Sequence, residues 1–312
     1  MNNDMQKNRN RASAGGADAV RNLDRERRRR KRYNRRKQQV RRQLMMLGAV
    51  ILGVILVIVS CVSGKKEQKA QETVHTQNEN KSAKKSKEAS EKGETLEERV
   101  KRVEKQAREE NYPDSIIELL SKNPETVAFV ENYGEKKDIS PAEQIEELKS
   151  GEIPALYQWD ERWGYAPYGN GCVATSGCGP TCMSMIISGM ANDPSATPAK
   201  LAAYGEENDY LDEDNNTYWS FMSESAKNWG ITGYQIAADE ETVSKELMTG
   251  HPIVCSVGPG DFTDNGHFIV LTAYENGEVT VHDPFSKENS EKKWVYSEIF
   301  SQIKAVWTYS KK

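Results

Sequence analysis

The chain is poor in the residues that build metal centres and disulfide frameworks. Its 312 residues hold four histidines and five cysteines. No pair of Cys-x-x-Cys spacings occurs, so a structural zinc site is not supported. Cys61 falls within an apolar run, which leaves Cys172, Cys178, Cys182 and Cys255. Cys182, in an apolar helical pattern, and Cys255, in the strand-like run 252–257, read as buried structural thiols. The acidic run 212–216 lacks the glycine and the distal glutamate of an EF-hand loop and reads as a solvated turn rather than a calcium site. No cofactor and no metal is implied.

Charge is the next absence. Residues 44–63 carry none, and are apolar almost throughout. Twenty residues at about 1.5 Å each span roughly 30 Å, the hydrocarbon thickness of a bilayer. The residues before them are the opposite: 16 Lys/Arg against 4 Asp/Glu over 1–43, a net of +12 in a chain whose total is −4, so the remainder carries −16. A basic block stays on the cytoplasmic side of a span. The expected topology is therefore a single-pass membrane protein anchored in the lipid bilayer through 44–63, with a basic cytoplasmic tail (1–43) and an extracellular C-terminal part. The basic leader is too long for a signal peptide. Beside a span, the block Arg27–Arg32 reads as topogenic or headgroup-binding, and no nucleic-acid partner is expected. The run Ile58-Val59-Ser60-Cys61 resembles a bacterial lipobox, which leaves lipidation of Cys61 open as an alternative.

Residues 64–94 have almost no large apolar side chains and cannot bury a core, so they read as a disordered linker. Residues 95–150 read as a helical segment. Thr95 and Glu98 have capping-box spacing, and further helices start at Pro113 and at Pro124, the latter with Asn123 as its cap. Their apolar faces need a partner, and the domain that follows, 151–312, is the obvious one. That domain reads as helical at 180–190, 197–206, 217–229 and 239–249, then as strands at 252–257, 267–274, 278–283 and 303–309. Helix-rich first and strand-rich second, it has an α+β pattern.

The chemistry gathers around Cys178. Gly177 and Gly179 leave its sulfur uncrowded, and Pro180 suits a first helical turn. A cysteine at a helix N-terminus has the dipole on the side of its thiolate. His267 and Asp283 follow in the chain, a base and a group to orient it. His282 and His251 compete for the base role, His75 lies in the linker, and Cys172 is a decoy thiol near Cys178. The turn Asn276-Gly277 favours a two-residue hairpin. If that hairpin were regular, His267 and Asp283 would face opposite sides, so the triad requires a bulge, a longer loop or a strand break before Asp283.

The stretches 157–164, 168–169, 176–181, 259–263 and 266–271, together with Asp283-Pro284, resemble the C39-like cysteine peptidase domain, in particular its membrane-anchored or secreted bacterial members. The resemblance covers roughly 112–310. It implies a papain-like α+β fold and a peptide or protein substrate. It makes Cys178 the nucleophile, His267 the base, Asp283 the orienting acid and Gln158 a side-chain donor to the oxyanion hole, although Gln158 precedes Cys178 by 20 residues. Trp159 or Trp163, beside Gln158, would wall the substrate groove. The function so read is an extracytoplasmic thiol hydrolase cutting amide bonds. A thiol acyltransferase on the same fold, or a non-catalytic surface module, remains the alternative.

Overall fold

In the computed structural model, which describes residues 93–311, Thr95 opens the first helix, α1 (Leu96–Glu109). Its side chain accepts from the Glu98 N–H while Glu98 returns a bond to the Thr95 N–H, the expected capping box. Glu94 already belongs to this fold, since its carboxylate holds Arg102 at 2.9 Å. The tail 1–43, the apolar run 44–63 and the linker up to residue 92 lie outside the described residues, so the membrane topology is expected from sequence alone. Among the described residues, no helix is long and apolar enough to cross a membrane.

α2 (Asp114–Lys122) follows Pro113. Asn123 then caps a 3-10 turn by accepting from the Glu125 N–H at 2.9 Å, and the chain continues into α3 (Val127–Glu131) and α4 (Tyr133–Lys136). The helices of the 95–150 segment thus end at Lys136, and 137–166 runs as turns and loops. Val103 and Ala107 of α1, Ile116 and Leu120 of α2, and Phe129 and Val130 of α3 pack in one cluster with Trp159, Tyr165, Cys172 and Ala174. Phe129 stacks on Tyr165 with ring centroids 4.1 Å apart, and the Tyr165 hydroxyl donates to the Phe129 carbonyl at 2.8 Å. The apolar faces of the segment therefore find their partner in the loops that lead to Cys178.

A short hairpin, β1 (Pro167–Tyr168) and β2 (Gly171–Cys172), precedes α5 (Val173–Ser176) and α6 (Cys178–Ala191), with α7 (Pro198–Glu207) capped by Thr197. The helix expected over 217–229 is shorter. It forms α8 (Ser220–Glu224) and a 3-10 turn, because Thr217 is drawn into a bridge with Leu211 and a hydroxyl bond with Tyr168. The remaining elements are β3 (Ile231–Ile236), α9 (Glu240–Met248), β4 (Ile253–Val257), β5 (His267–Glu275), β6 (Glu278–His282), α10 (Lys287–Glu291), β7 (Lys293–Val295), α11 (Tyr296–Ile299) and β8 (Ile303–Lys311). The sheet order is β3-β8-β4-β5-β6-β7, with every pair antiparallel. This is the expected mixture of helices and antiparallel sheet. β3 and β7 escaped the sequence pattern: Gly233 interrupts the first and the second is three residues long.

Alternation along the strands divides the core. Val254, Phe268, Val270 and Trp307 face the cluster built on α6, whereas Ile253, Cys255, Ile269, Leu271 and Val306 face the one containing Val243 and Leu247 of α9. Asn276 and Gly277 both have positive φ, 53° and 87°, and close a two-residue hairpin of the primed type. Glu275 pairs with Glu278 and Ala273 with Thr280, but Leu271 pairs with Val281 and Val270 with His282. Thr272 is the extra residue of a bulge. It shifts the register by one and brings His267 and Asp283 to the same side.

If α1–α3 share the domain's core, Phe129→Ala will lower the stability of the whole folded unit by about 3–5 kcal/mol. Urea unfolding followed by tryptophan fluorescence reads this, since Trp159 lies in that cluster. An unchanged transition would mean that the helices are an independent appendage.

Candidate functional site

Cys178 is the first residue of α6, with Gly177 in the N-cap position at φ −89° and ψ 20°. That backbone is open to any residue, so the glycines serve closeness rather than an unusual turn. A Cβ on Gly177 would meet the Val173 carbonyl oxygen at 2.5 Å, and one on Gly179 would meet the Thr217 side chain at about 3 Å. The two positions let α5 and the 217 loop press against the start of α6 while the thiol itself stays half-exposed. Of the described cysteines, Cys172, Cys182 and Cys255 are buried and Cys178 is not. Burial pushes the thiols of Cys172, Cys182 and Cys255 up from their ordinary range. Cys182 also donates to the Phe268 carbonyl at 3.3 Å.

His267 starts β5 and is buried. Its Nε2 lies 2.8 Å from Asp283 Oδ1. Cys178 bears on the same ring electrostatically, and Nδ1 is the ring nitrogen that Asp283 leaves. Burial pulls the His267 pKa down, but the Asp283 charge and hydrogen bond, with the contribution of Cys178, raise it above the usual imidazole value. For Asp283, 1% exposed, burial works upward, and His267, the Asn289 amide and the Phe285 N–H outweigh it and hold the carboxyl low.

Asp283 lies just past β6 in a turn that supplies its partners. Oδ1 also accepts from the Phe285 N–H at 2.8 Å and Oδ2 from the Asn289 side chain at 2.8 Å. Its own N–H donates to Ser290 Oγ at 2.9 Å. Asn289 and Ser290 were missed by sequence reasoning. The cap residue Ser286 marks the helix that carries them, but nothing in their spacing points at Asp283.

Gln158 is buried in a loop between the two halves of the site. Its backbone N–H donates to the Pro284 carbonyl at 2.8 Å, and its side-chain Nε2 donates to the Ala174 carbonyl at 2.7 Å. Gln158 is thereby tied to Ala174 on α5, the short helix that precedes Cys178, and to the turn after Asp283. Its Oε1 is buried without a partner. Trp159 donates its indole N–H to the Phe285 carbonyl at 2.7 Å, so it braces the Asp283 turn. Trp163, fully buried, is core.

The competitors lie elsewhere. His251 pairs with Glu246 at 2.8 Å. His282 sits opposite Val270, and burial lowers its pKa. His75 lies outside the described residues. Among the described residues no group of three His, Cys, Asp or Glu could hold a metal ion.

The ion pair fixes a pH dependence of stability. The raised His267 pKa means that its contribution is complete below the ordinary imidazole range, about 6.5, and is lost as the pH climbs through the raised value. The lowered Asp283 pKa means that its contribution is present above about 3.9 and is lost as the pH falls through the lowered value. Thermal melts of the full chain should therefore fall off on the alkaline side, and Asp283→Asn should flatten that limb. Equal alkaline slopes in the two chains would contradict the pairing.

A sequence profile of the Peptidase_C39 like family matches residues 151–312, just over half of the chain. No curated protein matches it. Among solved structures, the chain is similar to the peptidase domain of Streptococcus ComA, a bi-functional ABC transporter involved in quorum sensing. That match has 19% identity and a TM-score of 0.36, over 44% of this chain and 93% of that one. It is also similar to a Bacillus anthracis protein described as a C39-like peptidase, with 17% identity and a TM-score of 0.34, over 54% of this chain and 99% of that one. On the extent of the profile match, the chain belongs to the Peptidase_C39 like family.

Proposed function

We propose that the protein is a thiol hydrolase that cuts amide bonds in peptides or proteins outside the cytoplasmic membrane, to which residues 44–63 anchor it. The observation that carries this reading is the buried His267 ring, bonded through Nε2 to the buried Asp283 and acted on electrostatically by Cys178, which is half-exposed at the start of α6.

In the proposed reaction, the Cys178 thiol passes its proton to His267 and the sulfur attacks the carbonyl carbon of the substrate. The carbonyl oxygen becomes an oxyanion, for which the Cys178 backbone N–H and the Gln158 side-chain amide are the proposed donors. One Gln158 N–H is engaged by the Ala174 carbonyl, which fixes the amide plane and leaves the second N–H for the oxyanion. His267 then protonates the leaving amine as the C–N bond breaks, and a thioester remains on Cys178. Water gives a proton to His267 as it adds to the thioester. Collapse of that second oxyanion releases the acid and returns the thiol. Asp283 keeps Nε2 protonated throughout, so Nδ1 is always the nitrogen that faces sulfur.

Two measurements test this reading. With iodoacetamide at pH 6, the full chain should be alkylated at Cys178, with Cys172→Ala, Cys182→Ala and Cys255→Ala unchanged. His267→Ala should slow that alkylation about 100-fold, within the range for a positioned acid–base group. Label that persists in Cys178→Ala and vanishes in Cys172→Ala would transfer the role to the other thiol. For the topology, protease added to intact spheroplasts should release the domain, whereas complete protection would place it on the cytoplasmic side.

A further inference from the structure

The Asp283 turn is held from outside the family-matched region. Phe285 presents its carbonyl to two donors, the Trp159 indole at 2.7 Å and the side-chain amide of Asn123 at 2.5 Å. Two residues on, the backbone N–H groups that open α10 donate to one carboxylate, Glu125, from Lys287 at 2.8 Å and from Glu288 at 3.2 Å. Asn123 Nδ2 donates to the same carboxylate at 3.1 Å, and the Glu125 N–H is held by Asn123 Oδ1 at 2.9 Å. Asn123 and Glu125 belong to the turn between α2 and α3, well before residue 151, where the family match begins. α10 in turn carries Asn289, which bonds to Asp283 Oδ2, and Ser290, which accepts from the Asp283 N–H.

We propose that Asn289 is a positioning residue for the Asp283–His267 pair, and that the helical segment before the family domain completes the site by clamping the Asn289-bearing turn through Glu125. This rests on the thiol-hydrolase reading for its purpose, but not for its geometry. The physical case is the isolation of Asp283. A carboxylate has about four lone-pair sites, and one that is buried must have them met by donors. Oδ1 has His267 and Phe285; Oδ2 has Asn289. Without the Asn289 donor the carboxylate can rotate, and Oδ1 then ceases to fix the His267 ring. α10 has five residues, and its cap Ser286 holds the Asn289 N–H at 3.1 Å. A helix that short has little cooperative stability of its own, so the Glu125 carboxylate on the two N–H groups before Asn289 is the second hold on where Asn289 stands. The titratable groups that interact with the pair are Cys178 and Cys182 on α6 and Tyr157 in the Gln158 loop. None of them can replace the Asn289 donor on Oδ2 without moving.

The test uses the full chain and a readout that does not depend on hydrolysis. The His267 Nε2–H, bonded to Asp283, should appear in proton NMR as a downfield resonance in slow exchange with water. With four histidines in the chain, single substitutions assign it. Asn289→Ala should accelerate its exchange about tenfold, the value of one hydrogen bond to a charged group. Glu125→Ala should do the same, and Glu125→Gln, which keeps one acceptor oxygen, should fall between. The double variant should be no faster than either single, because both act on one turn. Unchanged exchange in Asn289→Ala, or additive effects in the double variant, would overturn the proposal even where thermal stability falls. Exchange that follows the predicted series in a chain whose Cys178 is inert to iodoacetamide would uphold the positioning role and remove the thiol-hydrolase reading instead.

Discussion

A single buried carboxylate organises this structure. Asp283 is 1% exposed and sits beside a buried histidine. Such a charge is costly in a protein interior unless donors surround it. Each of its neighbours has a structural cause. His267 reaches it because a bulge at Thr272 corrects the hairpin register. The Phe285 N–H reaches it because the chain turns at Pro284 and is held there by the Gln158 N–H. Asn289 reaches it because α10 is fixed at its start. A change that loosens one of these leaves a buried charge short of a partner, so the site and the stability of the fold are linked.

The division of the core serves the same end. α6 packs on one side of the sheet with Phe268, Val270 and Trp307, and this places its first residue, Cys178, near the start of β5. α9 and α11 fill the other side with Ile253, Ile269 and Val281. The third cluster, between α1–α3 and the loops of Trp159, Tyr165 and Ala174, lies under the segments that connect Gln158, Cys178 and Asp283. The helices before the family domain are thus structural members of the site, which gives the folded unit a start near Glu94 rather than near residue 151.

Much of this was legible in the chain, for reasons that differ by residue. The capping box at Thr95 and the hairpin at Asn276-Gly277 are local, and local chemistry decides them. Cys178 at a helix start was readable from its glycines and Pro180, although the glycines turn out to serve close packing with Val173 and Thr217. The hairpin pattern showed that a register shift was needed between His267 and Asp283, but not that Thr272 would supply it, since a bulge depends on the partner strand. Asn289 and Glu125 were invisible because their partners lie across the fold: Glu125 and Lys287 are 162 residues apart in sequence. The strand β3 was hidden by Gly233, whose Cβ would have met the Tyr309 ring at 2.6 Å, a close approach that only the folded sheet reveals. The placement of Gln158 likewise needed the loop that folds it back onto Ala174, 16 residues on in sequence.

The central claim is that Cys178 is a nucleophile served by His267 on an Asp283 support. Intact-mass analysis and peptide mapping after treatment with a mixture of peptidyl acyloxymethyl ketones test it most directly, because such reagents are displaced by a sulfur that the site itself activates. The account predicts one adduct per chain, on Cys178, formed by the native protein and lost in His267→Ala. An adduct on Cys172 or Cys182, or one on Cys178 that forms equally fast without His267, would contradict it.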